Sequence, residues 1–113
     1  MADIRAHLRF LSISAQKVRL VIDLVRGKSA NDAMEMLRFI PNRAAEPVRK
    51  LLASAIANAE ENLGVSRDDL FVSTIVADEA RTRKWRRFGA RGRFKPVLRR
   101  SSHVTIVLRE REA

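Results

Sequence analysis

Ten cationic side chains lie between Arg81 and Arg100 with no carboxylate among them: Arg81, Arg83, Lys84, Arg86, Arg87, Arg91, Arg93, Lys95, Arg99 and Arg100. Their chemistry is the pairing of fixed positive charge with anionic oxygen. Eight of the ten are arginine, whose planar fork matches two phosphate oxygens at once where a lysine ammonium acts as a point charge. Trp85, Phe88 and Phe94 are interleaved with them. A core that buried these rings would have to bury the charges too, whereas nucleobases stack on flat rings held among arginines; for Trp85, packing against an arginine stem of its own hairpin is the alternative. Residues 1–80 carry eleven Lys or Arg against eleven Asp or Glu, and residues 101–113 carry two against two, so the whole net charge of +10 sits in this segment. A neutral body with one concentrated cationic element is the electrostatic footprint of a polyanion binder, and the expected partner is nucleic acid. Arg5, Arg9, Lys17, Arg19 and Lys28 on the body are expected to add a second, smaller footprint.

Other residue groupings suggest chemistry and lose it on inspection. Gly27-Lys28-Ser29 ends like a phosphate-binding P-loop, but that pattern needs a further glycine where Ile22 stands, and a strand rather than a helix before it. A helix stop at Gly27 and a helix cap at Ser29 account for these residues. Ser101, Ser102 and His103 bring a nucleophile and a base close in sequence, yet neighbouring strand residues point to opposite faces and cannot form that pair locally. Asp78 and Glu79, next to Arg81, read as screening for the root of the cationic segment. The two histidines, His7 and His103, lack the clustered acid spacing of a metal site. No catalytic residue, metal or cofactor is expected. The helix-turn-helix look of Ser14 to Phe39 fails because its second helix presents Asn31, Asp32 and Glu35, an acidic face unsuited to a DNA groove.

The elements that must carry the basic segment follow from periodicity. Ile4, Ala6, Leu8 and Phe10 alternate with Arg5, His7 and Arg9, predicting a strand with one apolar and one basic face. Ser14 caps a helix with Val18, Val21, Ile22 and Val25 inward, and Gly27 stops it. Ser29 caps a second helix with Ala30, Ala33, Met34 and Leu37 on one face, ending at Pro41. A third helix runs from about Arg43 to Asn62, with Val48, Leu51, Leu52, Ala55, Ile56 and Ala59 inward, and Gly64 closes it. Pro47 leaves its first turn open, because proline inside a helix costs about 3 kcal/mol. Leu70 to Ala77 and His103 to Leu108 are β-rich and flank the basic segment, which predicts an antiparallel hairpin with the first strand as a third partner. Continuing the alternation from Val76 puts Lys84 and Arg86 on one face of the arm and Arg83, Trp85 and Arg87 on the other. Neither face is apolar, so the arm cannot pack on the helices and is expected to be ordered chiefly by the polyanion. Gly89 and Gly92 give its centre the freedom of a turn.

The fold class is therefore α+β: three helices on a small three-stranded antiparallel sheet, with a long β-hairpin projecting from it. One domain is expected, with a body of 1–79 and 101–113, an extended basic hairpin at 80–100 and a tip near 88–94. The chain's 113 residues allow one modest core. Absence of cysteine suits a reducing compartment. Asp3, Arg5, His7 and Arg9 interrupt any leader-like apolar run, and the uncharged helical stretch from Leu51 stops at Glu60, about half a membrane span. The expectation is a cytoplasmic protein that neither enters membranes nor forms homo-oligomers.

Specific runs carry a family resemblance. Ser14-Ala15-Gln16-Lys17-Val18-Arg19-Leu20-Val21, then Asp23-Leu24-Val25-Arg26-Gly27-Lys28, resembles the first helix of the large-subunit ribosomal protein family numbered twenty-two. Ser54-Ala55-Ile56-Ala57-Asn58-Ala59-Glu60 is similar to that family's third helix. Ala90-Arg91-Gly92-Arg93 and Arg99-Arg100-Ser101-Ser102-His103-Val104-Thr105 look like its hairpin tip and return strand. The resemblance implies a body on the outer surface of the large subunit and a hairpin running inward through 23S rRNA. It also implies a tip formed by Phe88, Gly89, Ala90, Arg91, Gly92, Arg93 and Phe94 that lines the polypeptide exit tunnel. Neighbouring ribosomal proteins and the nascent polypeptide would be its further partners, and the family's tip is linked to macrolide sensitivity and nascent-chain stalling. The chain departs from the family pattern at Ala80 and Arg81, where Gly-Pro is usual, and in the cationic, aromatic run from Trp85 to Gly89. A different class of function, a free-standing nucleic-acid-binding or chaperone module, shares the same charge pattern.

Overall fold

The computed structural model describes residues 3–88, 92 and 94–111, with backbone alone for 85–88 and 94–97. Strand β1 (Ile4–Leu11) is followed by helices α1 (Ala15–Val25), α2 (Ala30–Phe39) and α3 (Ala45–Leu63), a short 3-10 turn (Arg67–Asp69), and strands β2 (Leu70–Glu79), β3 (Arg83–Phe88), β4 (Phe94–Arg99) and β5 (Ser102–Glu110). The α+β architecture is the expected one. β5 is the central strand of an antiparallel sheet ordered β1-β5-β2, and β3 and β4 form a separate two-stranded ladder.

The helix ends follow local chemistry. The Ser14 and Ser29 hydroxyls accept from the Lys17 and Asp32 amides, so each serine satisfies an otherwise orphaned N–H. Gly27 follows α1 at φ 81°, a conformation that glycine adopts without a Cβ penalty. Its N–H donates to Val72 O at 2.9 Å, and Val72 N–H donates to Lys28 O at 2.9 Å. The turn after α1 is thereby hydrogen-bonded to β2. Pro47 is the third residue of α3, where the missing N–H is one that the helix could not have used.

One face of the sheet and the inner faces of the helices make the core. Val18, Val21, Ile22, Val48, Leu52, Ala55, Ala59, Leu70, Val72, Ile75, Val104 and Leu108 have no detectable exposure. The alanines of α3 let it approach closely, and it packs on both α2 and β1. The other sheet face is polar, as an antiparallel sheet with one solvated side should be; there His7 Nδ1 lies 3.1 Å from Thr105 Oγ1.

Two expected alternations are broken by bulges. In β1 the pairing jumps from Leu8↔Val104 to Leu11↔Ser102. Phe10, expected on the apolar face, instead adopts φ 57° and is 65% exposed. In β2 the register shifts between Val72 and Thr74, so the buried positions run Leu70, Val72, then Ile75 and Ala77. A single extra residue reverses every later side chain.

Candidate nucleic-acid interface

The cationic segment forms the arm, but not as one uninterrupted hairpin. β2 ends at Glu79 and β3 begins at Arg83, so the alternation carried on from Val76 does not run through. Two bonds hold this break: Ala80 N–H donates to Ser101 O at 3.0 Å and Ser101 Oγ donates to Arg81 O at 3.1 Å. Ser102, fully buried beside it, donates through Oγ to Ile13 O at 2.9 Å. Both serines of the Ser-Ser-His run are thus structural, one tying the root of the arm and the other tying the body.

Within the arm the register is Arg83↔Arg99, Lys84↔Leu98, Trp85↔Val97, Arg86↔Pro96, Arg87↔Lys95 and Phe88↔Phe94. Arg83 stands opposite Arg99, and like charges directly opposite destabilise a ladder. An anion beside such a pair would remove that cost. Arg81, Arg83, Lys84, Arg99 and Arg100 are exposed. The side chains of Trp85, Arg86, Arg87 and Lys95, and the tip positions Gly89, Ala90, Arg91 and Arg93, lie outside what is described. Gly92 has φ 71°, the left-handed region a turn requires and a side chain resists. The molecule extends 66 × 25 × 18 Å, with a radius of gyration of 17.2 Å; a compact chain of this length would have about 13 Å.

An open concavity lies between the root of the arm and the body. Lys17, Arg43, Arg81, Arg83, Lys84, Arg99 and Arg100 line it, together with Phe10, Leu20 and Leu98 and, among the described residues, a single acid, Glu79. Sequence reasoning finds Lys17 but misses Arg43, whose signal is faint: one cation in the α2–α3 loop just after Pro41. It also misses Phe10, which strict alternation assigns to the core.

The other body cations do not converge on this concavity. Arg5 lies 3.8 Å from Asp3 in an ion pair, and Arg9 and Lys28 are exposed. Arg19 is engaged internally: its Nε and Nη2 donate to Ala77 O at 3.1 and 2.8 Å. Arg26, two turns along α1, donates to Ile75 O at 2.8 Å while pairing with Asp23. These carbonyls point away from β5, so Arg19, Arg26 and the Gly27–Lys28 turn close the outer edge of β2. An open sheet edge invites pairing with another chain.

Asp78 and Glu79 are exposed, and neither makes an ion pair among the described residues. His103 Nδ1 accepts the Phe10 N–H at 3.0 Å, a structural task rather than that of a general base. Among the described residues no cluster of His, Asp or Glu could hold a metal ion, and no helix is long and apolar enough to cross a membrane.

A family model described as "Ribosomal protein L22p/L17e" matches residues 6–109. A protein of Thermoanaerobacter sp. (strain X514), named "Large ribosomal subunit protein uL22", is 49% identical over 97% of this chain and 99% of its own length. The same name belongs to a Cutibacterium acnes protein that is 48% identical over 96% of this chain and 71% of its own length.

Proposed function

Since the chain belongs to the ribosomal protein L22p/L17e family, it is a constituent of the large ribosomal subunit and not an enzyme, and we propose that its arm anchors it there by binding 23S rRNA. The observation that carries this reading is the confinement of the whole charge excess to one ribbon on a neutral body. Such a ribbon meets phosphates from strands on both sides, and the counterions it releases supply the affinity. Arg81, Arg83, Lys84, Arg86, Arg87, Arg91, Arg93, Lys95, Arg99 and Arg100 make the phosphate contacts, and Trp85 stacks on a base. Lys17 and Arg43 extend the contact at the root, while Arg5, Arg9 and Lys28 give a smaller footprint elsewhere on the body. The body rests on the subunit surface against neighbouring ribosomal proteins and supports assembly. The tip, 88–94, reaches the wall of the polypeptide exit tunnel and meets the nascent chain.

Two measurements test this. The chain should stay with large subunits through a high-salt wash. Its affinity for an isolated rRNA fragment should fall steeply with salt, and an affinity flat across salt would end the electrostatic account. For the tunnel, removing Arg91 to Arg93 should leave assembly intact while changing macrolide footprints. Blocked assembly with unchanged footprints would refute the division between anchoring arm and sensing tip.

A further inference from the structure

We propose that Phe10, fixed by His103, is a stacking platform for one unpaired nucleobase of the RNA whose phosphates the root of the arm holds. This rests on the reading of the arm as an rRNA anchor and adds a second, non-electrostatic contact to it. A bulky residue at φ 57° is strained, because its Cβ crowds the backbone there and glycine would not. The strain brings Phe10 no place in the core, since the ring is 65% exposed. What holds the ring is His103. The imidazole Nδ1 accepts the Phe10 N–H at 3.0 Å, and the two rings meet edge to face with centroids 4.6 Å apart and planes 82° apart. This arrangement fixes the direction of the phenyl ring while leaving much of it in solvent.

The surroundings select the occupant. Phe10 lines the concavity with Lys17, Arg43, Arg81, Arg99 and Arg100. An apolar surface rimmed by cations suits a nucleotide, whose base has an uncharged π-face and whose flanking phosphates are anionic. An apolar peptide would leave those cations unpaired. Stacking does not depend on base identity, so the platform fits a base freed from pairing in a loop or bulge.

The test uses the full chain with its large-subunit rRNA and the variants Phe10→Gly, Phe10→Trp and Lys17→Ala. Glycine keeps the left-handed bulge, so its thermal midpoint should not fall, while affinity should drop about tenfold at every salt concentration. The slope of log affinity against log salt should stay as in the unaltered chain. Lys17→Ala should instead reduce that slope by about one or less. Phe10→Trp should retain affinity, and Phe10→Gly should restore the reactivity of one unpaired base toward base-modifying reagents. Unchanged affinity and base reactivity in Phe10→Gly would overturn the platform while leaving the anchoring function standing. So would an effect confined to the binding of a neighbouring ribosomal protein. Absence of rRNA binding by the unaltered chain would overturn the anchoring function, and the platform with it.

Discussion

Arginine 19 shows how one side chain that reads as an RNA contact can also serve the fold. Its type, charge and place on an exposed helix face all fit a phosphate ligand, yet two of its donors converge on the Ala77 carbonyl. Ala77 lies two residues before the end of β2, so this bond helps fix the direction in which the arm leaves the sheet. Lys17, on the same helix, lines the concavity and makes no ion pair among the described residues. The two should separate on mutation. Arg19→Ala should lower stability to urea by about 1.5–3 kcal/mol, the range for hydrogen bonds made by a charged group, with little change in the salt slope of rRNA binding. Lys17→Ala should leave stability within about 0.5 kcal/mol and lower the slope. Equal effects of both variants on the slope would return Arg19 to the set of RNA ligands. Sequence alone could not separate them, because a buried carbonyl at a sheet edge is a tertiary fact.

At the scale of elements, what was legible was what repeats. The 3.6-residue stripes of α1 and α3 named much of the core, and the serine caps and Gly27 named helix ends that the structure keeps. What escaped was every place where one extra residue interrupts a period: the bulge that turns Phe10 outward, the bulge after Val72, and the break at Ala80 to Thr82. A bulge is set by how two strands pair, and pairing partners lie far apart in sequence. β1 begins with a further tie across strands, where Asp3 accepts from Arg109 Nε at 2.8 Å. The hydrogen bond from the Arg109 guanidinium holds the Asp3 carboxyl below its usual range. A depressed folded value means that the stabilisation is present above the unfolded pKa and is lost as pH falls through the folded one. Arg109→Gln should therefore cost stability at neutral pH and match the unaltered chain in acid, a convergence that urea midpoints across pH would reveal. The arm ladder allows an opposite design. Arg99→Glu converts the repulsive pair with Arg83 into an attractive one worth about 0.2–1 kcal/mol, yet it places an anion in the polyanion path. Slower amide exchange in β3 and β4 of the free protein, together with weaker rRNA binding, is the expected combination.

The whole molecule divides its labour between two parts that obey different physics. The body is held by a core assembled from helix stripes and one sheet face, and its charges balance. In the arm, β3 and β4 pack principally on each other, and their register sets cation against cation. Folding free energy should reside in the first and binding free energy in the second. The consequence is testable by replacing residues 82–99 with a two-residue turn between Arg81 and Arg100, which removes eight of the segment's ten cations. The truncated chain should unfold cooperatively at nearly the full-length thermal midpoint, because Ser102 and Ile13 still close the body beneath the cut. Its affinity for rRNA should fall by orders of magnitude at low salt. The salt slope should shrink by about 0.9 for each phosphate that the shortened chain no longer neutralises, leaving a residual slope due to Lys17, Arg43, Arg81 and Arg100 and to the smaller footprint of Arg5, Arg9 and Lys28. A truncated body that failed to fold would show that the arm contributes to the core. A slope as steep as that of the full chain would move the RNA-binding surface onto the body, where the exposed Arg5 and Arg9 of the open sheet face would be the next cations to neutralise.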